Sequence, residues 1–292
     1  MSLWKGVAVA IIGGDARETE LASIATDAGA RVCLFGAPPP ARPGVKTASS
    51  LAAAFDGARI AILPVPYPAA DGALYAPHAE SPIRVTADEL SGMAPRAHVI
   101  TGKSDEFLDY AARTAGVSVH EYEHDTDLML LRAPAIAEGA IRIAIELSPV
   151  TIHGAQIGLV GFGRIGSTLA RTLLALNAHV HVFARRAEAR AAAYALGAEP
   201  HALDEIPGVF PRLDVLFNSV PAPVVDGAAL EHLTGSLVVD LAAPPGGVNL
   251  DAARARGLIA VWGRGLGASA PRSVARSQWI GVERIARAAL ST

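Results

Sequence analysis

The sequence predicts an α/β fold with two doubly wound domains, and two observations lead to this prediction. Short apolar runs of strand length alternate with helical stretches along nearly the whole chain, which is typical of a mostly parallel sheet covered by helices. A length of 292 residues fits two domains of ordinary size. The chain is 51% hydrophobic and only 18% charged, so it has enough apolar surface for large buried cores.

The first domain is expected over residues 1–133, with a regular alternation of strands and helices. Glu18 to Ala28 and Asp105 to Ala115 are predicted helices, and Gly116 is expected to end the second one. The prolines between Ala37 and Gly44 predict a loop. The predicted strands are Val7 to Ile12, Arg31 to Phe35, Ile60 to Leu63 and His98 to Thr101.

A connecting helix is predicted over residues 134–152, because Pro134 stands where the first turn of a helix tolerates proline. The second domain is expected over residues 153–272. The last helical stretch, residues 273–292, is expected to return and pack on the first domain. The predicted strands of the second domain are Gln156 to Val160, His179 to Phe183, Val215 to Asn218, Leu237 to Asp240 and Leu258 to Val261.

A glycine-rich turn connects the first of these strands to a helical stretch from Ser167 to Leu176. A GxGxxG sequence inside a βαβ unit indicates a Rossmann dinucleotide-binding domain, whereas an isolated one is weak evidence. Gly161 allows the tight turn, Gly163 lets the backbone approach a pyrophosphate, and Gly166 lets helix and strand pack closely. An ordinary tight turn is the alternative. The predicted cofactor-binding residues here are Gly161, Phe162, Gly163, Arg164, Ile165 and Gly166.

The end of the next strand favours NADP over NAD. NAD sites usually place a carboxylate about 20 residues after the glycines, where it binds the ribose 2′-hydroxyl. Here Ala184, Arg185 and Arg186 occupy this region, and no carboxylate precedes Glu188. Guanidinium groups bind phosphate oxygens in a bidentate way, so the sequence predicts a 2′-phosphate. Two solvated arginines at a helix start are the alternative, and NAD remains possible.

Two later loops, each at the end of a strand of the second domain, are expected to line the cofactor site through backbone contacts. Ligands of open α/β sheets bind beyond the carboxyl ends of the strands, which is where these loops lie. Their predicted cofactor-binding residues are Asn218, Val220, Pro221, Asp240 and Ala242.

The same rule selects loops that could bind a substrate with two carboxylates in a cleft between the domains. Asp15 and Arg17 follow the first strand, where backbone N–H groups and Arg17 are expected to face an anion; an ordinary strand–helix turn is the alternative. Ser104 is predicted as a helix cap or a substrate ligand. The loop from Gly263 to Ser273 adds further cations. The predicted substrate-binding residues are Asp15, Arg17, Ser104, Arg264, Ser269 and Arg272.

Lys103 and His153 are the candidate catalytic residues. Lys103 could bind a carboxylate or act as an acid, and His153, at the entry to the second domain, could be an acid or base. A structural histidine is the alternative for His153. His120 and His124 lie in an alternating pattern that is typical of a strand with a polar face, so no metal is expected.

Composition excludes several classes of protein. The net charge is −3, which indicates neither a nucleic-acid nor an anionic-membrane partner. The single cysteine, Cys33, excludes a disulfide framework. Trp4-Lys5-Gly6 leads directly into a strand, and no apolar run has membrane-spanning length. We therefore expect a soluble, cytoplasmic protein. We also expect a homo-oligomer, which composition does not test.

Several segments, taken in order, resemble the family of the dipicolinate synthase A chain over nearly the whole sequence. The resemblance implies oxidation of dihydrodipicolinate to dipicolinate with a nicotinamide cofactor, in the mother cell during sporulation. It also implies a flavoprotein-like partner, the B chain of dipicolinate synthase. The resembling segments are Ile11 to Arg17, Ile62 to Val65, Glu138 to Ile141, Thr151 to Gln156, Gly161 to Gly166, Asp240 to Ala242, Pro245 to Gly247, Gly265-Leu266 and Ala270-Pro271.

Two other functions are alternatives to the one that the resemblance implies. A D-2-hydroxyacid dehydrogenase would carry Arg-Gly after the strand that ends at Asp240 and a histidine near the last loop. This chain has Ala243-Pro244 there and no histidine after His232, which disfavours that activity. A non-catalytic nucleotide-binding subunit that supports a flavoprotein is not excluded, since no residue is an unambiguous acid or base.

Overall fold

A computed structural model describes residues 3–39, 43–66, 68–123 and 125–291 of the chain. The chain divides into two compact units. The first comprises Met1–Leu131 together with Ala270–Thr292, and the second comprises Arg132–Ser269. Each unit has its own six-stranded sheet, in which all neighbouring strands of the described residues run parallel.

Within the described residues, twelve strands form the two sheets. In the first unit they are β1 (Ala8–Ile12), β2 (Arg31–Phe35), β3 (Lys46–Thr47), β4 (Ile60–Ile62), β5 (His98–Thr101) and β6 (Ser118–Glu121). In the second they are β7 (Gln156–Val160), β8 (His179–Phe183), β9 (Glu199–His201), β10 (Val215–Asn218), β11 (Leu237–Asp240) and β12 (Ile259–Trp262).

Both sheets have the same doubly wound strand order, which confirms the predicted fold class. The first is ordered β3-β2-β1-β4-β5-β6, and the second β12-β11-β10-β7-β8-β9. In each sheet the second and third strands in sequence lie on one side of the first strand, and the last three strands lie on its other side. The strand order therefore reverses between β1 and β4, and between β7 and β10, where ligands bind in open α/β sheets.

Eleven helices accompany the strands of the described residues. They are α1 (Ala16–Asp27), α2 (Leu51–Phe55), α3 (Ala87–Ser91), α4 (Glu106–Ala115), α5 (Thr126–Leu147), α6 (Arg164–Ala175), α7 (Ala187–Leu196), α8 (Ile206–Val209), α9 (Gly227–Leu230), α10 (Leu250–Ala255) and α11 (Pro271–Leu290). Short 3₁₀ turns span Leu203–Glu205, Phe210–Arg212 and Leu266–Ser269. No helix of the described residues is long and apolar enough to cross a membrane.

Both faces of each sheet are buried, as expected for parallel strands between helices. In the first unit, Ile11 belongs to one buried cluster, whereas Ile12 belongs to the cluster on the other face. In the second unit, Phe217 and Leu216 are divided in the same way. The α11 residue Val282 joins the cluster of Ile11, so the C-terminal helix contributes to the core of the first unit.

Two predicted helix starts were wrong by three residues or more. Helix α5 begins at Thr126, and Pro134 lies inside it; the proline removes one intrahelical donor, but the apolar residues on both sides continue the helix. Helix α6 begins at Arg164 instead of Ser167, because Gly163 is its N-cap. The predicted loop between Ala37 and Gly44 lies partly outside the described residues.

Candidate cofactor and substrate sites

Two glycines of the turn after β7 are required by the protein's own packing. Gly161 has φ of 96°, a left-handed conformation, and its N–H donates to the carbonyl of Phe183 at 2.9 Å. A Cβ at Gly161 would lie 2.6 Å from Ser219 Oγ. A Cβ at Gly166 would lie 2.3 Å from the Gly161 carbonyl oxygen. These glycines therefore let α6 and the loop after β10 approach the turn.

Gly163 differs from them, because neither packing nor conformation requires a glycine there. A Cβ at Gly163 would meet no atom within 4 Å, and φ of −96° is open to any residue. Helix α6 begins here, and its N-cap residue forms no side-chain hydrogen bond. Phe162, which precedes Gly163, and Ile165, which follows it, both pack against the core of the second unit. The space beside Gly163 is suited to a pyrophosphate at a helix N-terminus.

The loop after β8 presents two guanidinium groups to solvent. Arg185 and Arg186 are exposed, and neither forms an ion pair within the part of the chain that the structure describes. Ala184 is buried, and its N–H donates to His201 O at 3.1 Å. Arg190 Nη1 donates to the carbonyls of Ala184 and Arg185, both at 2.9 Å. Arg190, which sequence reasoning missed, therefore holds the loop in place.

Asp240 organises the loop after β11 from a fully buried position. Its Oδ1 accepts from Asn218 Nδ2 at 2.7 Å and from the Ala242 N–H at 3.0 Å. Its Oδ2 accepts from the N–H groups of Gly247 at 2.7 Å and Val248 at 3.1 Å. All four donors belong to the protein, so the Asp240 side chain positions loops.

The loop after β10 is fixed in a similar way. Asn218 Oδ1 accepts from the Val220 N–H at 3.1 Å, and Asn218 Nδ2 donates to the Val220 carbonyl at 3.0 Å. Pro221 follows at the surface. Strand β10 pairs directly with β7, which brings this loop against Gly161 where the strand order reverses. The backbone of this loop and the exposed Pro221 are therefore held beside the glycine turn.

In the first unit, the loop after β1 does not present its N–H groups to an anion, and that expectation was wrong. Gly14 donates to the Tyr75 carbonyl at 2.7 Å, and Gly13 donates to a carbonyl of β2. The Asp15 N–H donates to Glu18 Oε2 at 2.9 Å. Asp15 and Glu18 form a capping box for α1, so each of these donors already has a partner.

Arg17 is also not the open cation that the sequence suggested. It is buried, and its Nε and Nη2 each donate to a carboxylate oxygen of Asp15 at 2.8 Å. The Tyr75 hydroxyl donates to Asp15 Oδ2 at 3.3 Å. Although burial raises the pKa of Asp15, hydrogen bonds and charge from Arg17 hold it below its ordinary value. Arg17 and Asp15 form a bidentate pair with each other, so an anion that binds Arg17 would have to compete with the Asp15 carboxylate.

Glu18 is an ionisable group of this cluster that sequence reasoning missed. Its side chain is 1% exposed, and burial raises its pKa to about 7, against the opposing effect of Arg17. The sequence does contain a signal for Glu18. It is a glutamate three residues after an aspartate that can cap a helix, on a helix face whose other residues are apolar.

The raised pKa of Glu18 predicts that the contribution of this carboxyl group to the stability of the first unit falls as pH rises from about 4.5 towards 7 and above. The folded state binds the proton more tightly than the unfolded chain, so this stabilisation is complete below the unfolded pKa. Asp15 is already ionised in this window, because its pKa is lowered. Urea midpoints measured from pH 5 to 8 check the prediction. The stability of the wild type relative to Glu18→Gln should fall as pH rises, since His98 and His120, whose pKa values are lowered, titrate in both proteins. A difference that does not change with pH would contradict the prediction.

Asp105, and not Ser104, caps the helix after β5. Asp105 Oδ1 accepts from the Leu108 N–H at 2.8 Å. Ser104 Oγ donates to Asp109 Oδ1 at 2.5 Å, and the Ser104 N–H donates to Glu121 Oε1 at 2.6 Å. The predicted cap was wrong because the helix begins one residue later, and Ser104 instead connects α4 to β6.

Lys103 lies at the carboxyl end of β5, the edge of the sheet at which ligands bind. It is half-buried, and its carbonyl accepts from Thr101 Oγ1 at 3.4 Å. A Cβ on the preceding Gly102 would lie 2.4 Å from the Val65 carbonyl oxygen, so glycine lets this turn approach the loop after β4. Lys103 therefore remains a candidate for contact with a substrate.

His153 is placed unfavourably for catalysis. It is exposed and precedes β7, at the amino end of the strand, whereas the glycine turn is at the carboxyl end. Ligands bind at the carboxyl end, so the predicted acid/base role of His153 is corrected. His120 pairs with His98, with Nε2 and Nδ1 3.1 Å apart. His124, the other predicted histidine, lies outside the described residues.

The other predicted substrate-binding residues have diverse surroundings. In the second unit Arg264 is exposed, with its guanidinium carbon 5.2 Å from the centre of the Trp262 ring. Ser269 Oγ donates at 2.8 Å to a backbone carbonyl of its own turn. In the first unit, Arg272 Nε lies 3.4 Å from Glu20 Oε1, and the arginine side chain is highly exposed. Arg264 and Arg272 therefore keep accessible charge, whereas Ser269 serves its turn.

The doubly wound second unit has its glycine turn where the strand order reverses, which is the architecture of a dinucleotide-binding domain. Together with the family match that follows, it defines a dehydrogenase-type oxidoreductase that uses a nicotinamide cofactor. Residues 133–225 match the family described as D-isomer specific 2-hydroxyacid dehydrogenase, NAD binding domain. Residues 8–123 match the N-terminal domain of the dipicolinate synthase A chain. The protein belongs to the dipicolinate synthase A-chain family.

Similar proteins support this assignment over nearly the full length. The dipicolinate synthase A chain of Bacillus subtilis (strain 168) is 30% identical over 273 residues, which are 92% of each protein. The crystal structure of the A chain from Bacillus halodurans is 28% identical with a TM-score of 0.85, covering 97% of this chain and 98% of that one. The crystal structure of the A chain from Bacillus subtilis is 26% identical with a TM-score of 0.84, covering 99% of each chain.

Proposed function

We propose that this chain oxidises dihydrodipicolinate to dipicolinate, with NADP as the hydride acceptor. The space beside Gly163 at the N-terminus of α6, which no side chain caps, carries the proposal in a chain that belongs to the dipicolinate synthase A-chain family. The glycine turn would hold the pyrophosphate, and Arg185 and Arg186 would hold the 2′-phosphate. The loops after β10 and β11 would complete the cofactor site through their backbones.

The reaction removes one hydride and one proton from the dihydropyridine ring and leaves an aromatic dicarboxylate. The nicotinamide, when bound, supplies the hydride-accepting carbon. Aromatisation favours the product, so the protein has mainly to orient the ring. We assign Lys103 to the substrate: its ammonium group binds a carboxylate and orients the ring, and the ring proton is released to water. Arg264 and Arg272 supply further charge, and the Asp15–Arg17 pair positions the loop after β1.

A turnover assay tests this assignment. Purified chain is supplied with dihydrodipicolinate and NADP, alone and with its flavoprotein-type partner, and formation of NADPH and dipicolinate is followed. Lys103→Ala should lower turnover at least tenfold with NADP affinity unchanged, whereas His153→Ala should behave as wild type. If no NADPH forms in either preparation, the chain is a non-catalytic nucleotide-binding protein that supports a flavoprotein.

The choice of cofactor can be tested separately. Replacing Arg185 and Arg186 together with serine should weaken NADPH binding at least about tenfold, because a charge-assisted hydrogen bond is worth about 1.5–3 kcal/mol. NADH binding should not change, since it has no 2′-phosphate. Arg171→Ser on the exposed face of α6 is the matched control. Tighter binding of NADH than NADPH by the wild type would refute the NADP assignment.

We also propose a flavoprotein-type protein, the B chain of dipicolinate synthase, as a partner, and a homo-oligomeric assembly. The relatives are named as one of the chains of a synthase, which supports a partner. By the same family link, we propose that the protein acts in the cytoplasm of the mother cell during sporulation. Co-purification of the two chains, followed by size measurement of the complex, tests the assembly.

A further inference from the structure

Two neighbouring strands of the second unit bring two imidazoles and a carboxylate together, away from the glycine turn. His181 lies in the middle of β8, and Glu199 and His201 lie on β9, where Glu199 is the register partner of His181. Both histidines are buried, whereas the Glu199 side chain is exposed. The group has buried nitrogen ligands, and its carboxylate faces solvent.

The three side chains have the spacing of ligands around one ion. His181 Nδ1 lies 3.1 Å from His201 Nε2. Glu199 Oε2 lies 3.3 Å from His181 Nδ1, and Glu199 Oε1 lies 3.4 Å from His201 Nε2. Tetrahedral zinc with bonds of about 2.0–2.1 Å has ligand atoms roughly 3.3 Å apart. The two nitrogens already have about this spacing, and one ligand atom from each of the three residues lies within 4.8 Å of the others. A small movement of the exposed Glu199 side chain would complete one triangular face of such a site.

The outer nitrogen of each imidazole also has the partner that metal-bound histidines use. His181 Nε2 is 2.8 Å from Gln156 Oε1, and His201 Nδ1 is 3.4 Å from Glu205 Oε2. A histidine ligand almost always donates its second N–H to a carbonyl or carboxylate. When both outer nitrogens donate, two nitrogen lone pairs and a carboxylate face one another. A divalent cation at their centre makes this arrangement favourable.

We propose that His181, Glu199 and His201 bind a divalent transition-metal ion, with Zn²⁺ as the best match for two imidazoles and a carboxylate. The fourth position faces solvent beside Glu199 and would take a water molecule. The ion connects β9, the outermost strand, to β8. The Ala184 N–H donates to the His201 carbonyl, so the ion also braces the loop that carries Arg185 and Arg186.

Zinc titration of the chelator-treated full chain tests the proposal without any assay of turnover. Calorimetry should show one equivalent of Zn²⁺ bound with micromolar or tighter affinity. The apparent unfolding temperature should rise by at least about 2 °C with zinc in excess, because the ion binds only the folded chain. Co²⁺ should bind competitively and give the strong visible absorption of a tetrahedral site. Absence of saturable binding would overturn the proposal.

Variants identify the ligands. His201→Ala and Glu199→Gln should each weaken zinc binding at least about tenfold. Glu199 is exposed, so its variant keeps the metal-free fold and remains informative if His201→Ala unfolds. His179→Ala, which removes the exposed imidazole two residues before His181, is the matched control and should bind normally. Normal binding by Glu199→Gln, or loss of binding in His179→Ala, would contradict this ligand set.

Discussion

Replacing Gly163 with aspartate should abolish binding of the nicotinamide nucleotide while leaving the fold as stable as before. Gly163 is the N-cap of α6, and aspartate is among the preferred N-cap residues, by a few tenths of a kcal/mol over glycine. The new side chain meets no protein atom within 4 Å of its Cβ. Its negative charge would occupy the space proposed for the pyrophosphate. We expect at least about a hundredfold loss of NADPH affinity.

Two controls separate charge from packing. Gly163→Ser also caps the helix but adds no charge, so it should retain more affinity than the aspartate variant. Gly166→Val should instead destabilise the second unit, because its Cβ would lie 2.3 Å from the Gly161 carbonyl oxygen. Thermal unfolding and NADPH titration of all three variants provide the measurements. Unchanged affinity in Gly163→Asp would place the cofactor elsewhere.

Sequence reasoning predicted the strands well because their signal is local. Strands β7, β8, β10 and β11 were predicted to the residue, since each is a short apolar run between turn residues. The glycine turn was also readable, because its conformation and close packing depend on residues within one βαβ unit. The start of α5 was misread since Pro134 was taken as a boundary, although a helix can continue through a proline.

The chemistry of the first unit was less predictable because it depends on side-chain partners. Arg17 follows Asp15 by two residues, and nothing in the sequence shows that the two side chains close on each other while buried. The burial of Glu18, which raises its pKa to about 7, follows from the packing of α1 as a whole. The segment that contains Asp15 and Arg17 was recognisable in the sequence. The pairing of these two side chains and the raised pKa of Glu18 became visible only in the folded structure.

The sheet also separates residues that the sequence seemed to group. His153 is near the glycine turn in sequence, but the whole length of β7 lies between them. Conversely, His181 and His201 are 20 residues apart and meet because β8 and β9 are paired. The alternating His179-Val180-His181 of β8 and the Glu199-Pro200-His201 of β9 were the available signals. Only the register of the two strands shows which of these side chains meet.

Replacing Asp240 with alanine should cost the second unit about 3–5 kcal/mol of unfolding free energy. The carboxylate is buried and accepts four hydrogen bonds, from Asn218 and from three backbone N–H groups of its loop. Each buried donor that loses its acceptor costs about 1–3 kcal/mol, partly recovered by entering water. Urea denaturation, with hydrogen exchange of the β10 and β11 amides, measures the loss.

Asp251→Ala is the matched control for this loss. Asp251 lies in the first turn of α10, where its exposed carboxylate is 3.2 Å from Arg254, and an exposed pair of this kind is worth less than about 1 kcal/mol. Asp240→Asn should not rescue stability, because its amide would direct N–H groups at donors of the same loop. A loss under about 1 kcal/mol in Asp240→Ala would mean that the loops after β10 and β11 hold their shape without the carboxylate. The Asp240 side chain would then be free to contact the cofactor, in addition to the backbone contacts that the sequence predicts for this loop.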